Sequence, residues 1–185
     1  MRRLYSFLMT TLHGFYEGPN QEFHFWTTDD EFNRFAVGQL RDSDILLFGR
    51  VTYEGMASYW PTQGARDDDP VVAELMNTMP KLVVSTTLTS AEWSNTTLVG
   101  ADVAEELAKL KHQPGKDLAV LGSPSLTASL IRMRLLDELR VMVNPVVLGN
   151  GRSLFRSSDH ELPLKLLQTR TFSSGNVLLT YQPQP

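Results

Sequence analysis

The sequence predicts a mixed α/β fold: a largely parallel sheet flanked by helices and closed by an antiparallel hairpin. Three observations carry that expectation. Ile45-Leu46-Leu47-Phe48, Leu82-Val83-Val84 and Leu118-Ala119-Val120-Leu121 are short, uninterrupted apolar runs, the pattern of strands buried on both faces. Segments with apolar residues at helical spacing separate them, so strands and helices alternate. Toward the carboxyl end, two extended segments, 164–172 and 176–181, flank Ser173-Ser174-Gly175, which is hairpin-turn chemistry.

The elements follow in order. Residues 4–11 read as a first strand, with turn residues at His13-Gly14 and Glu17-Gly18-Pro19-Asn20. Thr28 with Glu31 forms a capping box, and Phe32, Phe35, Ala36 and Leu40 stripe the helix that it opens. After the strand at 45–48, residues 53–59 form a short helix stopped by Pro61. A polar loop, 63–69, leads to Pro70 at the first position of a helix whose buried face is Val71, Leu75 and Met79. The strand at 82–84 follows, then a short strand within 93–100. Asp102 with Glu105 is a second capping box; Val103, Leu107 and Leu110 stripe its helix, and Glu105 is placed to pair with Lys109. Ser123 caps the next helix, with Pro124 at its first position and Leu126, Leu130 and Met133 facing inward. Strands at 139–143 and 146–148 flank Pro145.

Composition narrows the function. A chain of 185 residues fits one domain, 1–185, and an apolar fraction of 42% supplies a core. A net charge of −4 offers no basic face for nucleic acid. No run of about 18 apolar residues is present to cross a membrane, and the amino terminus does not read as a signal peptide, so a cytoplasmic protein is expected. Cysteine is absent, which removes disulfides and thiolate chemistry. His13, His24, His112 and His160 lack the close spacings of a metal site, so no metal is expected.

Each of the three apolar runs ends in a small polar turn: Gly49-Arg50-Val51-Thr52, Ser85-Thr86-Thr87 and Gly122-Ser123-Pro124-Ser125. In an open α/β sheet such turns lie at the carboxyl ends of the strands, where ligands bind. Their N–H groups, hydroxyls and one guanidinium suit phosphate and point to a nucleotide cofactor. The helix opened by Ser123 offers unpaired N–H groups to an anion; an ordinary strand-to-helix turn fits the same residues. Arginine's planar fork at Arg50 suits a phosphate; a rim salt bridge fits it equally. The Gly-x-Gly-x-x-Gly, Gly-x-x-x-x-Gly-Lys-Ser/Thr and Gly-x-Ser-x-Gly fingerprints are all missing.

Phe48-Gly49-Arg50-Val51-Thr52-Tyr53-Glu54, Pro80-Lys81-Leu82-Val83-Val84-Ser85-Thr86 and Val120-Leu121-Gly122-Ser123 resemble dihydrofolate reductase in order and spacing. Leu136-Asp137-Glu138-Leu139-Arg140, Pro145-Val146-Val147-Leu148-Gly149-Asn150-Gly151 and Leu154-Phe155 are similar to the reductase domain of the riboflavin-biosynthesis deaminase-reductase. The whole chain resembles a stand-alone branch that combines both. The resemblance implies a dihydrofolate-reductase-like sheet with NADPH across its carboxyl edge. Gly49, Arg50 and Thr52 would hold the cofactor phosphates, and Arg50 with Ser85 and Thr86 would meet the 2′-phosphate. Gly122, Ser123 and the first residues of the helix after them, Ser125 and Leu126, would receive the pyrophosphate.

For the acceptor, the resemblance matches Trp26, Glu31 and Phe35 to the pterin side of dihydrofolate reductase, with Glu31 as the acid and Asp30 and Asp29 as competitors. Riboflavin-type reductases usually show Ser-Leu-Asp-Gly where this chain has Thr11-Leu12-His13-Gly14, which makes His13 a second candidate proton donor. Met142 stands about where dihydrofolate reductases carry a supporting threonine. The resemblance also implies a homodimer joined through edge strands near the carboxyl terminus. The expected activity is NADPH-dependent hydride transfer to a small heterocycle of pterin or pyrimidine type. A non-catalytic nucleotide- or metabolite-binding module on the same fold is the alternative.

Overall fold

The computed structural model describes residues 1–155 and 161–184, so His160 lies outside the described residues. Eight strands form one sheet in the order β5-β4-β3-β6-β1-β7-β10-β9. They are β1 (Leu4–Thr11), β3 (Ser43–Gly49), β4 (Lys81–Val84), β5 (Thr96–Val99), β6 (Asp117–Leu121), β7 (Glu138–Asn144), β9 (Leu164–Thr171) and β10 (Val177–Pro183). The strands from β5 to β7 run parallel, and β9 and β10 form the antiparallel hairpin. A separate ribbon pairs β2 (Phe15–Glu17) with β8 (Arg152–Ser153).

The helices are α1 (Asp30–Arg41), α2 (Arg50–Tyr59), α3 (Gln63–Asp68), α4 (Pro70–Thr78), α5 (Val103–His112) and α6 (Pro124–Arg132). They cover the two faces of the sheet unequally. Tyr5, Phe7 and Met9 of β1 point to one side, where Leu40 of α1, Tyr53 of α2 and Met76 of α4 complete a core cluster. Leu4 and Leu8 point to the other side, against Leu107 of α5 and Leu126 and Leu130 of α6. A strand buried on both faces has no polar side to alternate with, which is why these segments read as continuous apolar runs.

Local details differ from the sequence expectations, each for a physical reason. Asp29, not Thr28, caps α1: its backbone is extended and its Oδ1 accepts from the Phe32 N–H at 2.8 Å. That one-residue shift takes Glu31 out of the capping box. Residues 63–68 are helical, not a loop, because Thr62 caps them and Gln63 and Asp67 bond across one turn. Helix α4 is capped by Asp69 and buries Val72, Ala73 and Met76; of the face expected, Met79 is buried at its end and Leu75 packs partly against the core, but Val71 is 41% exposed. Met133 ends up exposed at the cap of α6. Asp102 sits at the start of α5 but makes no side-chain cap, whereas the Glu105–Lys109 pair forms at 2.8 Å. Residues 146–148 carry no strand, and α2 begins at Arg50, three residues earlier than expected.

Lys81 is 1% exposed. Its Nζ donates to the Met76 and Met79 carbonyls at 2.8 and 2.7 Å and stands 4.4 Å from the centre of the Trp93 ring. The ammonium thus caps the carboxyl end of α4 from inside. Burial pulls its pKa from 10.5 down to about 8. Between those values the unfolded chain binds the extra proton, so Lys81 adds stability as pH rises through that window. The neutral amine still donates two N–H groups, so the cage survives deprotonation. Urea midpoints of the native protein and Lys81→Met should therefore diverge in favour of the native chain from pH 8 to 10.5. Parallel curves across that range would sink this account.

Candidate functional site

The strand order places β4, β3 and β6 side by side, all parallel, so the three polar turns open on one edge. Leu47 lies opposite Val120, and Gly49 and Gly122 each leave the sheet two residues beyond that rung. From Gly49 the chain enters α2, whose Tyr53 joins one core cluster; from Gly122 it enters α6, whose Leu126 joins the other. The crossovers from these two neighbouring strands leave on opposite faces, which makes the crevice between β3 and β6 a topological switch point, the usual ligand site of open α/β sheets.

Two helices start at that crevice, and they differ from the rest. Neither α2 nor α6 has a side-chain cap, and neither has an acid in its first turn. Among the other described helices, Asp29, Thr62 and Asp69 cap α1, α3 and α4, and Glu105 and Glu106 occupy the first turn of α5. The N–H groups of these first turns are therefore without a capping side chain, and the positive ends of the two helix dipoles without an acid beside them in the first turn.

The two starts are also joined. Ser123 is left-handed at φ +55° and donates its N–H to Thr52 Oγ1 at 3.1 Å, while its own Oγ accepts the Gly49 N–H at 2.8 Å. Arg50 sits exposed at the first position of α2, and its Nη1 reaches both oxygens of Glu54, at 3.2 and 2.9 Å. At the end of β4 the Ser85 hydroxyl accepts from the Thr87 and Leu88 N–H groups, at 3.1 and 3.0 Å, and holds its own turn; Thr86 is exposed. Ser125 is exposed in the first turn of α6, and Leu126 is buried beneath it. All of the expected cofactor residues thus stand on this edge, and Arg50 makes the rim salt bridge that the sequence also allowed, with Glu54.

The expected acceptor residues lie at the same edge, around the ends of β1 and β7, but the polar atoms of Glu31 and His13 are engaged within the protein. Glu31 Oε2 accepts the Ser173 N–H and hydroxyl, both at 2.8 Å, and Oε1 accepts Arg170 Nη2 at 3.2 Å. The Ser173 N–H first, then its hydroxyl and Arg170, hold this carboxylate below its usual pKa. Glu31 thereby ties the start of α1 to the β9–β10 turn. Asp30 beside it is exposed in the same helical turn. His13 bridges Thr11 Oγ1, 3.0 Å from Nδ1, and the Leu148 carbonyl, 2.8 Å from Nε2. With the proton on Nε2 both bonds are satisfied at once, because Thr11 Oγ1 then donates to the ring and accepts the Phe15 N–H. His13 pins the loop after β7.

Two residues escaped the sequence reading. Asn144, at the end of β7, accepts the Thr27 N–H through Oδ1 at 3.0 Å and donates Nδ2 to the Thr10 carbonyl at 3.1 Å. Asn176 donates to the Thr27 carbonyl at 3.0 Å. Both are 0% exposed. They clasp Thr27 from either side and so fix Trp26, which packs 4.7 Å from Phe23 between ring centres. The only sequence hint is a polar residue closing an apolar strand just before Pro145. Among the described residues no cluster of His, Asp and Glu forms a metal site, and no helix is long and apolar enough to cross a membrane.

The model of one protein family, the RibD C-terminal domain, matches residues 2–178. The chain is 35% identical over 180 residues to the uncharacterized protein YyaP of Bacillus subtilis (strain 168), covering 97% of this chain and 94% of that one. Its fold is similar to a putative riboflavin biosynthesis protein from Shewanella sp. PV-4, with TM-score 0.75, 19% identity and 99% of both chains covered. It is also similar to a dihydrofolate reductase from Enterococcus faecalis solved with NADP(H), with TM-score 0.64, 16% identity and 99% and 97% covered. The mainly parallel sheet, the flanking helices and the closing hairpin are those of dihydrofolate-reductase-like proteins. On the match across 2–178, the chain belongs to the RibD C-terminal domain family.

Proposed function

We propose that the protein is an NADPH-dependent reductase that transfers a hydride to a small heterocycle of pterin or pyrimidine type. The observation that carries this reading is the pair of uncapped, acid-free helix starts at one switch-point crevice. Two such starts side by side favour a ligand with linked phosphates. Arg50 supplies a guanidinium at the rim for a further phosphate, and Ser85 and Thr86 lie at the end of the neighbouring strand. When bound, the nicotinamide supplies the hydride, and the protein's part is to orient it and exclude competing reactions. The Asn144–Thr27–Asn176 clasp holds Trp26 beside the acceptor space. Asp30, exposed in the first turn of α1, is the acid at that end without an internal partner among the described residues.

Engagement of both Glu31 oxygens and both His13 nitrogens favours a second reading, in which the fold binds a nucleotide or metabolite without turnover. We also propose a cytoplasmic homodimer. Strand β9 is exposed along its whole length at the sheet edge and presents Leu164, Leu166 and Leu167; such an edge invites pairing with a second copy.

Titration with NADPH and NADH, followed by tryptophan fluorescence and calorimetry, tests the cofactor reading. Saturable NADPH binding with preference over NADH is expected. Absence of binding by either would overturn it. NADPH binding without oxidation by any pterin or pyrimidine would favour the second reading.

A further inference from the structure

One residue joins the two helix starts, and it does so in a conformation that serine disfavours. Ser123 is 4% exposed and sits at φ +55°, a left-handed backbone that crowds any Cβ. Glycine would occupy the position with less strain, but glycine has no hydroxyl. That hydroxyl accepts the Gly49 N–H, while the Ser123 N–H is held by Thr52 Oγ1. The bonds run in opposite senses between the first turn of α2 and the start of α6. The turns are also in close van der Waals contact: a Cβ added at Gly122 would stand 3.3 Å from Thr52 Cγ2. The Ser123 N–H and an acceptor position of its Oγ are thus committed inside the protein, and only its hydroxyl proton has no acceptor among the described residues.

We propose that Ser123 is a positioning residue: its clasp sets the spacing and relative aim of the α2 and α6 amino termini, so that a linked diphosphate meets both together. This rests on the cofactor reading above. A ligand that spans both starts depends on the clasp. A ligand that reaches only the Arg50 end does not. Strain held at a binding site is a recognised form of preorganisation, and here the strained residue makes the cross-connection.

The test compares the native protein with Ser123→Gly and Ser123→Ala, measuring dissociation constants for NADPH and for 2′-AMP alongside thermal midpoints. Ser123→Gly loses the hydroxyl and relieves the backbone, so its midpoint should stay at or near the native value. Its affinity for NADPH should fall about tenfold, the scale of one well-placed hydrogen bond, with 2′-AMP affinity unchanged. Ser123→Ala keeps the strain and should lose the same affinity together with some thermal stability. Native affinity for NADPH in Ser123→Gly, or equal losses for NADPH and 2′-AMP, would overturn the positioning role alone. Failure of the native protein to bind NADPH would overturn the cofactor reading and the positioning role with it.

Discussion

Asn144→Ala should lower the thermal midpoint by about 6–12 °C. The side chain is wholly buried and makes three bonds: Thr27 N–H to its Oδ1, and its Nδ2 to the Thr10 and Met142 carbonyls. Alanine would strand one part-buried donor and two buried acceptors. Leaving a buried polar group unpaired costs about 1–3 kcal/mol; the Met142 contact is long, at 3.4 Å, so about 3 kcal/mol in all is reasonable by that scale. A domain of this size loses about 2–4 °C per kcal/mol, which gives the stated range. Asn144→Asp should do no better, because its second oxygen would face two carbonyl oxygens. Calorimetry decides it, and a fall of less than about 2 °C would show that Thr27 is held by Asn176 alone.

The parallel sheet was legible because its central strands are buried on both faces. Such strands have only apolar side chains to show, and the runs at 45–48, 82–84 and 118–121 announce themselves. Helix α3 was illegible for the opposite reason. It buries Ala65 alone, so no stripe betrays it, and local bonds from Thr62, Gln63 and the Tyr59–Asp68 pair hold it in place. In α4 nearly every position from Val71 to Met76 is apolar. Periodicity cannot choose a face there, and packing against the sheet chose Val72, Ala73 and Met76.

The site divides in the same way. The edge that gathers Gly49, Ser85 and Gly122 follows from strand order, and each turn carried its own local chemistry in the sequence. The fate of Glu31 could not be read locally. Its partner Ser173 lies 142 residues away and meets it only because the β9–β10 hairpin folds back over α1. Its position in the first turn suggested an acid poised over a pocket; the tertiary contact makes it a tie. Lys81 gave no signal either, since a lysine beside an apolar run usually marks a solvated strand end, whereas here the open carboxyl end of α4 draws the ammonium inward.

Arg50→Ala should weaken NADPH binding by about five- to sixtyfold and leave NADH almost untouched. Arg50 stands exposed at the start of α2, so it can reach a rim phosphate without desolvating the rest of the crevice. A hydrogen bond to a charged group contributes about 1.5–3 kcal/mol. Against that, the native protein gives up the Glu54 contact, an exposed pair one turn apart worth about 0.3–0.5 kcal/mol. The remainder is about 1–2.5 kcal/mol, and each 1.4 kcal/mol is tenfold in affinity, hence the range. The same weakness of the Arg50–Glu54 pair means that stability should barely change, with the midpoint moving by no more than about 2 °C. A selective loss for the cofactor carrying the extra phosphate would locate that phosphate at Arg50. Equal loss for NADPH and NADH would move the contact to the pyrophosphate. Unchanged affinity for both would leave Arg50 as a partner of Glu54 alone and remove the guanidinium from the cofactor site, and the helix starts at Gly49 and Ser123 would then have to account for binding by themselves.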